Sequence, residues 1–187
     1  MTIPSKPAKS ASPHILSAAR NIKAVILDVD GVLTDGKLYY GNQGEQLKTF
    51  NTQDGLGIKL LQRAGIKVGI ITARSSQLVS RRAAELSLDY LIQGREDKLS
   101  ALEELRADHS LPFTLAEIAY MGDDLPDLPV IRQVGLGMTV ANASTTVTQY
   151  ADWQSMFPGG AGAVREAAEM ILGAQDKLDT VLAEYLT

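Results

Sequence analysis

The sequence predicts an α/β protein: a doubly wound parallel sheet with a small β-hairpin insertion and no second large domain. Three observations carry this. Short apolar, β-branched runs alternate along the chain with segments of helical periodicity, the pattern of a parallel sheet covered on both faces. Two β-prone runs flank the Gly/Asn-rich stretch Gly41–Glu45, which reads as a hairpin. The 187 residues suit one domain with a sizeable core.

In chain order, residues 1–20 carry Lys6, Lys9 and Arg20 among Pro, Ser and Ala with no hydrophobic signal core. They are expected to form a flexible lead-in ending in a short helix, His14–Arg20. The domain proper is expected over 21–173. Ala24–Leu27 is a buried strand that runs into Asp28-Val29-Asp30-Gly31, where the glycine marks a sharp bend. The insertion spans about 37–50, with Lys37–Tyr40 and Gln46–Phe50 as its arms; its aromatics Tyr39, Tyr40 and Phe50 need cover that a lone hairpin does not supply. Asn51–Gly55 leads into a helix ending at Gly65. Lys67–Thr72 is a second buried strand, followed by a helix from Gln77 to about Leu86 and a short strand Tyr90–Gln93. Gly94–Lys98 opens a helix with Leu99, Leu102 and Leu105 on one face. The Thr114–Glu117 capping pattern gives one helical turn before the strand Ile118–Met121, which ends in Gly122-Asp123-Asp124-Leu125-Pro126-Asp127. A short helix to Val134, the strand Leu136–Val140, a helix near Ser144–Tyr150, a strand at Trp153–Met156 and a helix over Ala161–Leu172 complete the expected core. The tail 174–187 reads as amphipathic and weakly held.

Composition narrows function. Hydrophobic residues make up 45% and charged residues 21%, ordinary for a globular protein. The net charge of −4 leaves no basic excess for phosphate backbones, so nucleic-acid binding is not expected. With no cysteine, disulfides and thiolate metal sites are excluded, which fits a reducing, cytoplasmic setting. No apolar run reaches the length of a membrane span.

Polar residues of complementary kinds end three of the strands: Asp28 and Asp30, then Thr72 with Arg74, then Asp123, Asp124 and Asp127. Lys98 stands at a helix start. In a parallel sheet these ends converge on the edge where open α/β sheets place ligands. Carboxylates from separate strands make a hard-oxygen site suited to Mg²⁺, and a Thr, a Lys and helix N-termini make a phosphate cradle beside it. That combination suits phosphoryl transfer, with an aspartate as nucleophile. Singly, Thr72 reads as a strand-end residue bonded to backbone, Lys98 as a solvated helix charge, and 122–129 as an acidic loop; their joint occurrence, in order, favours the chemical reading.

Asp28-Val29-Asp30-Gly31-Val32-Leu33-Thr34, Thr72, Lys98 and Gly122–Asp127 resemble the four-motif signature of the haloacid dehalogenase-like phosphatases, over about Ile22–Leu172. Thr34-Asp35-Gly36, Phe50–Gly55 and Pro158–Glu166 are similar to the subgroup without a large cap domain, that of the 3-deoxy-D-manno-octulosonate 8-phosphate phosphatases. Ala73 stands where that subgroup usually has glycine. The resemblance implies a Rossmann-like fold and a Mg²⁺-dependent phosphomonoesterase acting on a small sugar-acid phosphate in lipopolysaccharide precursor synthesis. It implies that Asp28 attacks phosphorus, Asp30 serves as acid and base, and Thr72 and Lys98 hold the phosphoryl group. It places the metal on Asp28, the Asp30 carbonyl and Asp123, with Asp124 or Asp127 orienting its surroundings. Asp30, Asn51, Thr52, Asp54, Gly55, Lys59, Arg74, Arg82 and Lys98 are the implied substrate-binding set, some contributed across subunits of a homotetramer built on the hairpin. A nine-carbon sialic-acid-type 9-phosphate is the alternative substrate, and a non-catalytic assembly or binding module the alternative of another class.

Overall fold

The computed structural model describes residues 12–186. The expected lead-in up to residue 11 lies outside the described residues. In chain order the elements are α1 (Pro13–Arg20), β1 (Ala24–Leu27), β2 (Tyr39–Gly41), β3 (Gly44–Leu47), α2 (Thr52–Arg63), β4 (Lys67–Ile71) and α3 (Gln77–Leu86). They continue with β5 (Tyr90–Ile92), α4 (Lys98–Ala107), β6 (Ile118–Gly122), α5 (Leu128–Ile131), β7 (Leu136–Thr139), α6 (Thr145–Tyr150), β8 (Trp153–Gln154), α7 (Ala163–Ala174) and α8 (Leu178–Ala183). Single 3₁₀ turns at Leu115–Glu117 and Leu125–Asp127 flank β6.

Six strands form one parallel sheet in the order β5-β4-β1-β6-β7-β8, and β2 and β3 form a separate antiparallel pair. β1 is central because all four of its residues are buried apolar ones that only a strand covered on both faces can accommodate. Alternation splits them between two cores. Val25 and Leu27 pack with Ala119 and Met121 under α1, α2, α3 and α7, whereas Ala24 and Ile26 pack with Ile118 and Tyr120 under α4, α5 and α6. The larger of these, Val25, Ile26, Leu27, Ile118 and Met121, each contribute about 1.5–3 kcal/mol by leaving water.

The order of the sheet reverses at β1: the chain moves outward through β4 on one side and through β6 on the other. The carboxyl end of β1 is therefore the topological switch point, where a crevice opens between diverging connections. Asp28 follows β1 directly, Thr72 follows β4, and Asp123 follows β6.

Several boundaries differ from those expected. The hairpin turn is Asn42-Gln43 alone, so β3 begins at Gly44 and ends at Leu47, and Lys48–Phe50 run back toward the sheet. β8 is two residues long, and α7 begins at Ala163 because Gly162 has φ +105°, outside helical space. α1 is held to the domain: its Ala19 is fully buried, Arg20 donates to the Ala174 carbonyl, and Gln175 donates to the Ala19 and Ile22 carbonyls. The segment after 173 includes α8, whose Val181 joins the core.

Candidate active site

The loop after β1 turns at Val29, whose carbonyl accepts from the amides of Val32, Leu33 and Thr34. Thr34 wires the bend further: its hydroxyl donates to the Val29 carbonyl and accepts from the amides of Gly31 and Gly36. Gly31 has φ +95°, and a Cβ there would stand 2.1 Å from Oδ2 of Asp123, so only glycine lets the two loops meet. Thr34-Asp35-Gly36 thus shapes the bend as well as leading out of it.

Around this bend lies a cavity of about 280 Å³, lined among others by Asp28, Asp30, Thr72, Arg74, Lys98 and Asp123. A cleft of about 500 Å³ near Lys23 and Glu117 sits at the opposite sheet edge, before β1 and β6 begin, and gathers no comparable set of carboxylates.

Lys98 is the first residue of α4, after the cap Asp97, and its Nζ stands 2.9 Å from Asp28 and 2.6 Å from Asp127. Burial alone would push its ammonium toward neutrality; the two carboxylates outweigh that and hold its pKa above the usual lysine value. Asp127 is saturated: Oδ1 accepts from Lys98 and the Tyr120 hydroxyl, at 2.6 Å each, and Oδ2 accepts from the amides of Asp123 and Asp124. It braces the loop after β6 and aims Lys98 at Asp28. Asp124 is exposed and caps Leu125.

Asp28, Asp123 and Asp127 bring ligand oxygens within 4.8 Å of one another. Burial first, then Asp127, raise the Asp28 carboxyl to about 6 despite Lys98. Burial, then Asp127, Asp28 and Asp124, raise Asp123 to about 7. The ion pair with Lys98 would by itself lower Asp28; burial, reinforced by Asp127, prevails over it. Three carboxylates facing one ammonium give this oxygen-lined crevice a net negative charge as they ionise, which fits a divalent cation such as Mg²⁺.

Asp30 belongs to a different network. Its Oδ1 forms an ion pair with Lys48, and Arg74 Nε stands 3.6 Å from its Oδ2. Arg74 also donates to the Tyr40 hydroxyl at 2.6 Å, tying the hairpin to the loop after β4. Lys48, which does not itself line the cavity, reaches Asp30 from the hairpin side; in the sequence it is a lysine amid β-prone residues, indistinguishable from an ordinary edge lysine.

The other candidate substrate residues do not line this cavity within one chain. Asn51 caps α2 and donates to the Gly160 carbonyl. Asp54 is buried and accepts from the amides of Gly162 and Arg165 at the start of α7. Lys59 donates to the Leu86 carbonyl. Gly55 leaves space for Arg82, whose guanidinium lies over the Phe50 ring and reaches the Asn51 carbonyl. Thr52 is exposed on the first turn of α2.

The match to known proteins is extensive. A family model described as haloacid dehalogenase-like hydrolase matches residues 90–158. The chain is 46% identical over 168 residues to the 3-deoxy-D-manno-octulosonate 8-phosphate phosphatase KdsC of Salmonella typhimurium, covering 90% of this chain and 88% of that protein. The crystal structure of 3-deoxy-D-manno-octulosonate 8-phosphate phosphatase from Moraxella catarrhalis, in complex with magnesium, phosphate and KDO, superposes with TM-score 0.89 at 43% identity. That alignment covers 93% of this chain and 99% of the other. A probable YrbI family phosphatase from Pseudomonas syringae pv. phaseolica superposes with TM-score 0.91 at 48% identity, covering 94% and 99% of the two chains. Fold, cluster and sequence identity along nearly the whole length agree: the chain belongs to the 3-deoxy-D-manno-octulosonate 8-phosphate phosphatase family of haloacid dehalogenase-like hydrolases.

Proposed function

We propose that this protein is a Mg²⁺-dependent phosphomonoesterase that hydrolyses 3-deoxy-D-manno-octulosonate 8-phosphate to the sugar acid and inorganic phosphate. The observation that carries the reading is the convergence of Asp28, Asp30, Thr72, Lys98 and Asp123 on one cavity at the switch point.

Asp28 is the nucleophile: its carboxylate oxygen bonds to phosphorus while the bond from phosphorus to the substrate's ester oxygen breaks. Asp30 gives its proton to that departing oxygen. In the second half a water attacks the aspartyl-phosphate at phosphorus and loses its proton to Asp30, which frees phosphate and restores Asp28. Lys98 holds Asp28 in line and, with Thr72, neutralises and orients the transferring oxygens. Asp28, Asp123 and the Asp30 carbonyl are the proposed ligands of Mg²⁺, which when bound supplies charge neutralisation at the phosphoryl group. Asp127 and Tyr120 keep this set in place. Arg74 offers a cation for the sugar-acid carboxylate at this cavity, and Asn51, Thr52, Asp54, Gly55, Lys59 and Arg82, which do not line it within one chain, would meet the substrate of a neighbouring subunit. This chemistry in the cytoplasm would serve lipopolysaccharide precursor synthesis.

The hairpin supports a homotetramer. Tyr40 and Leu47 are 61% and 52% exposed, and Leu38 and Tyr39 are exposed beside them, a patch that pairing with other copies would cover.

Phosphate release from the eight-carbon 8-phosphate and a nine-carbon sialic-acid-type 9-phosphate, with and without Mg²⁺, tests the reading. The expected result is metal-dependent turnover with higher kcat/KM on the eight-carbon ester. Preference for the nine-carbon ester would replace the substrate, and no turnover of any phosphate ester would leave an assembly module.

A further inference from the structure

Asp30 is held by a residue that the hairpin sends back into the domain. Lys48 lies just past β3, and its side chain is only 2% exposed although lysine ordinarily keeps its ammonium in water. Two carboxylates meet it there: Oδ1 of Asp30, and Oε1 of Glu45 at 3.2 Å. Glu45 is itself anchored, because its Oε2 accepts from the Ser76 hydroxyl. Ser76 caps α3, accepting from the Val79 amide, and its own amide donates to Gln93. A continuous chain of polar contacts thus runs from the start of α3, through the hairpin, to one oxygen of Asp30. A buried ammonium is tolerated only when so paired, which fixes its geometry.

We propose that Lys48 is a positioning residue for the acid/base Asp30. By holding Oδ1 it fixes the rotation of the carboxyl group and turns Oδ2, the oxygen on the Arg74 side, toward the departing ester oxygen. Arg74 is exposed and bonded to Tyr40, so it is placed to meet substrate, whereas Lys48 is closed off from it. The hairpin then has a catalytic consequence within its own chain besides any part in assembly. The inference rests on the proposed phosphomonoesterase reaction.

The test uses leaving groups. Only steps up to release of the alcohol enter kcat/KM, and an alkyl alkoxide needs a proton from Asp30 whereas p-nitrophenolate hardly does. Lys48→Met should lower kcat/KM about 10²-fold for the sugar-acid phosphate and equally for glycerol phosphate, which has no carboxylate. For p-nitrophenyl phosphate the fall should stay within about threefold, and Lys48→Arg should restore part of the alkyl rate. Equal losses on alkyl and aryl esters would overturn the proposal in favour of a structural role. Loss confined to the sugar acid would make Lys48 a substrate-binding residue instead, and no loss would remove it from the reaction. Should Lys48→Met fail to fold, Glu45→Gln loosens the same lysine and must show the same alkyl-over-aryl divergence in smaller measure, or the proposal falls. Wild-type protein inert toward all three esters would overturn the functional reading itself, a result distinct from any pattern among the variants.

Discussion

The buried cluster at the end of β1 and the hairpin above it solve opposite problems. In the cluster, Asp28, Lys98, Asp127 and Tyr120 are removed from water and satisfy one another within a single chain. In the hairpin, Tyr40 and Leu47 remain in water, and the arms reach the domain through Tyr40 on Arg74, Glu45 on Ser76 and Lys48 on Asp30. The difference teaches where each function resides. Under the proposed function, phosphoryl chemistry would fall to the buried groups, while substrate choice and assembly would fall to a surface that other copies can complete. The same division predicts that damage to the cluster is felt by every ester, and damage to the hairpin's outer face by assembly.

The largest break in that comparison is Lys98→Met. It strands Asp28 and Asp127 together without their shared cation, and unpairing buried charges costs about 3–5 kcal/mol. Loss of a charge aimed at the phosphoryl group should also cut kcat/KM about 10²–10³-fold on alkyl and aryl phosphates alike. Denaturant midpoints and steady-state rates check both.

Next in size is a pH effect on the metal-free protein. The Asp28 and Asp123 carboxyls are raised to about 6 and about 7 by burial and crowding. Because these values exceed the unfolded one, the native state binds the extra protons, so these groups favour the fold at low pH and that contribution is lost as pH rises from about 4 through about 7. Mg²⁺ offsets the charge that appears. The rise in Tm on adding Mg²⁺ should therefore be larger near pH 8 than near pH 5; an equal rise at both would argue that the cation binds elsewhere.

The smallest effect on chemistry belongs to Leu47→Asp. Its side chain is half exposed on the hairpin, so the core should change by no more than about 0.5 kcal/mol. Light scattering should report dissociation from the four-chain mass, with hydrolysis of p-nitrophenyl phosphate persisting. A wild-type mass of one chain at micromolar concentration would remove the tetramer.

Much of this was legible in the sequence because it depends on local pattern. Asp28, Thr72 and Asp123 follow apolar strands directly, and a parallel sheet brings such ends together whatever the intervening loops do. What escaped depends on long-range partners. Asp54 reads in the sequence as a substrate contact, but nothing there shows that its carboxylate accepts from amides more than a hundred residues away at the start of α7. Tyr120 looks like one more core aromatic until its hydroxyl is seen on Asp127. Lys48 becomes special only when the turn shortens to Asn42-Gln43 and the chain brings it back over Asp30. Hydrophobic period and strand-end chemistry carry no information about such pairings.

The covalent step is the central claim, and it can be read directly. Protein quenched in acid during turnover with Mg²⁺, reduced with borohydride and digested should show the peptide containing Asp28 with that aspartate converted to homoserine, the product expected from an acyl phosphate. Conversion at another aspartate, or unmodified Asp28 under conditions in which phosphate is being released, would contradict the assignment of Asp28 as the nucleophile.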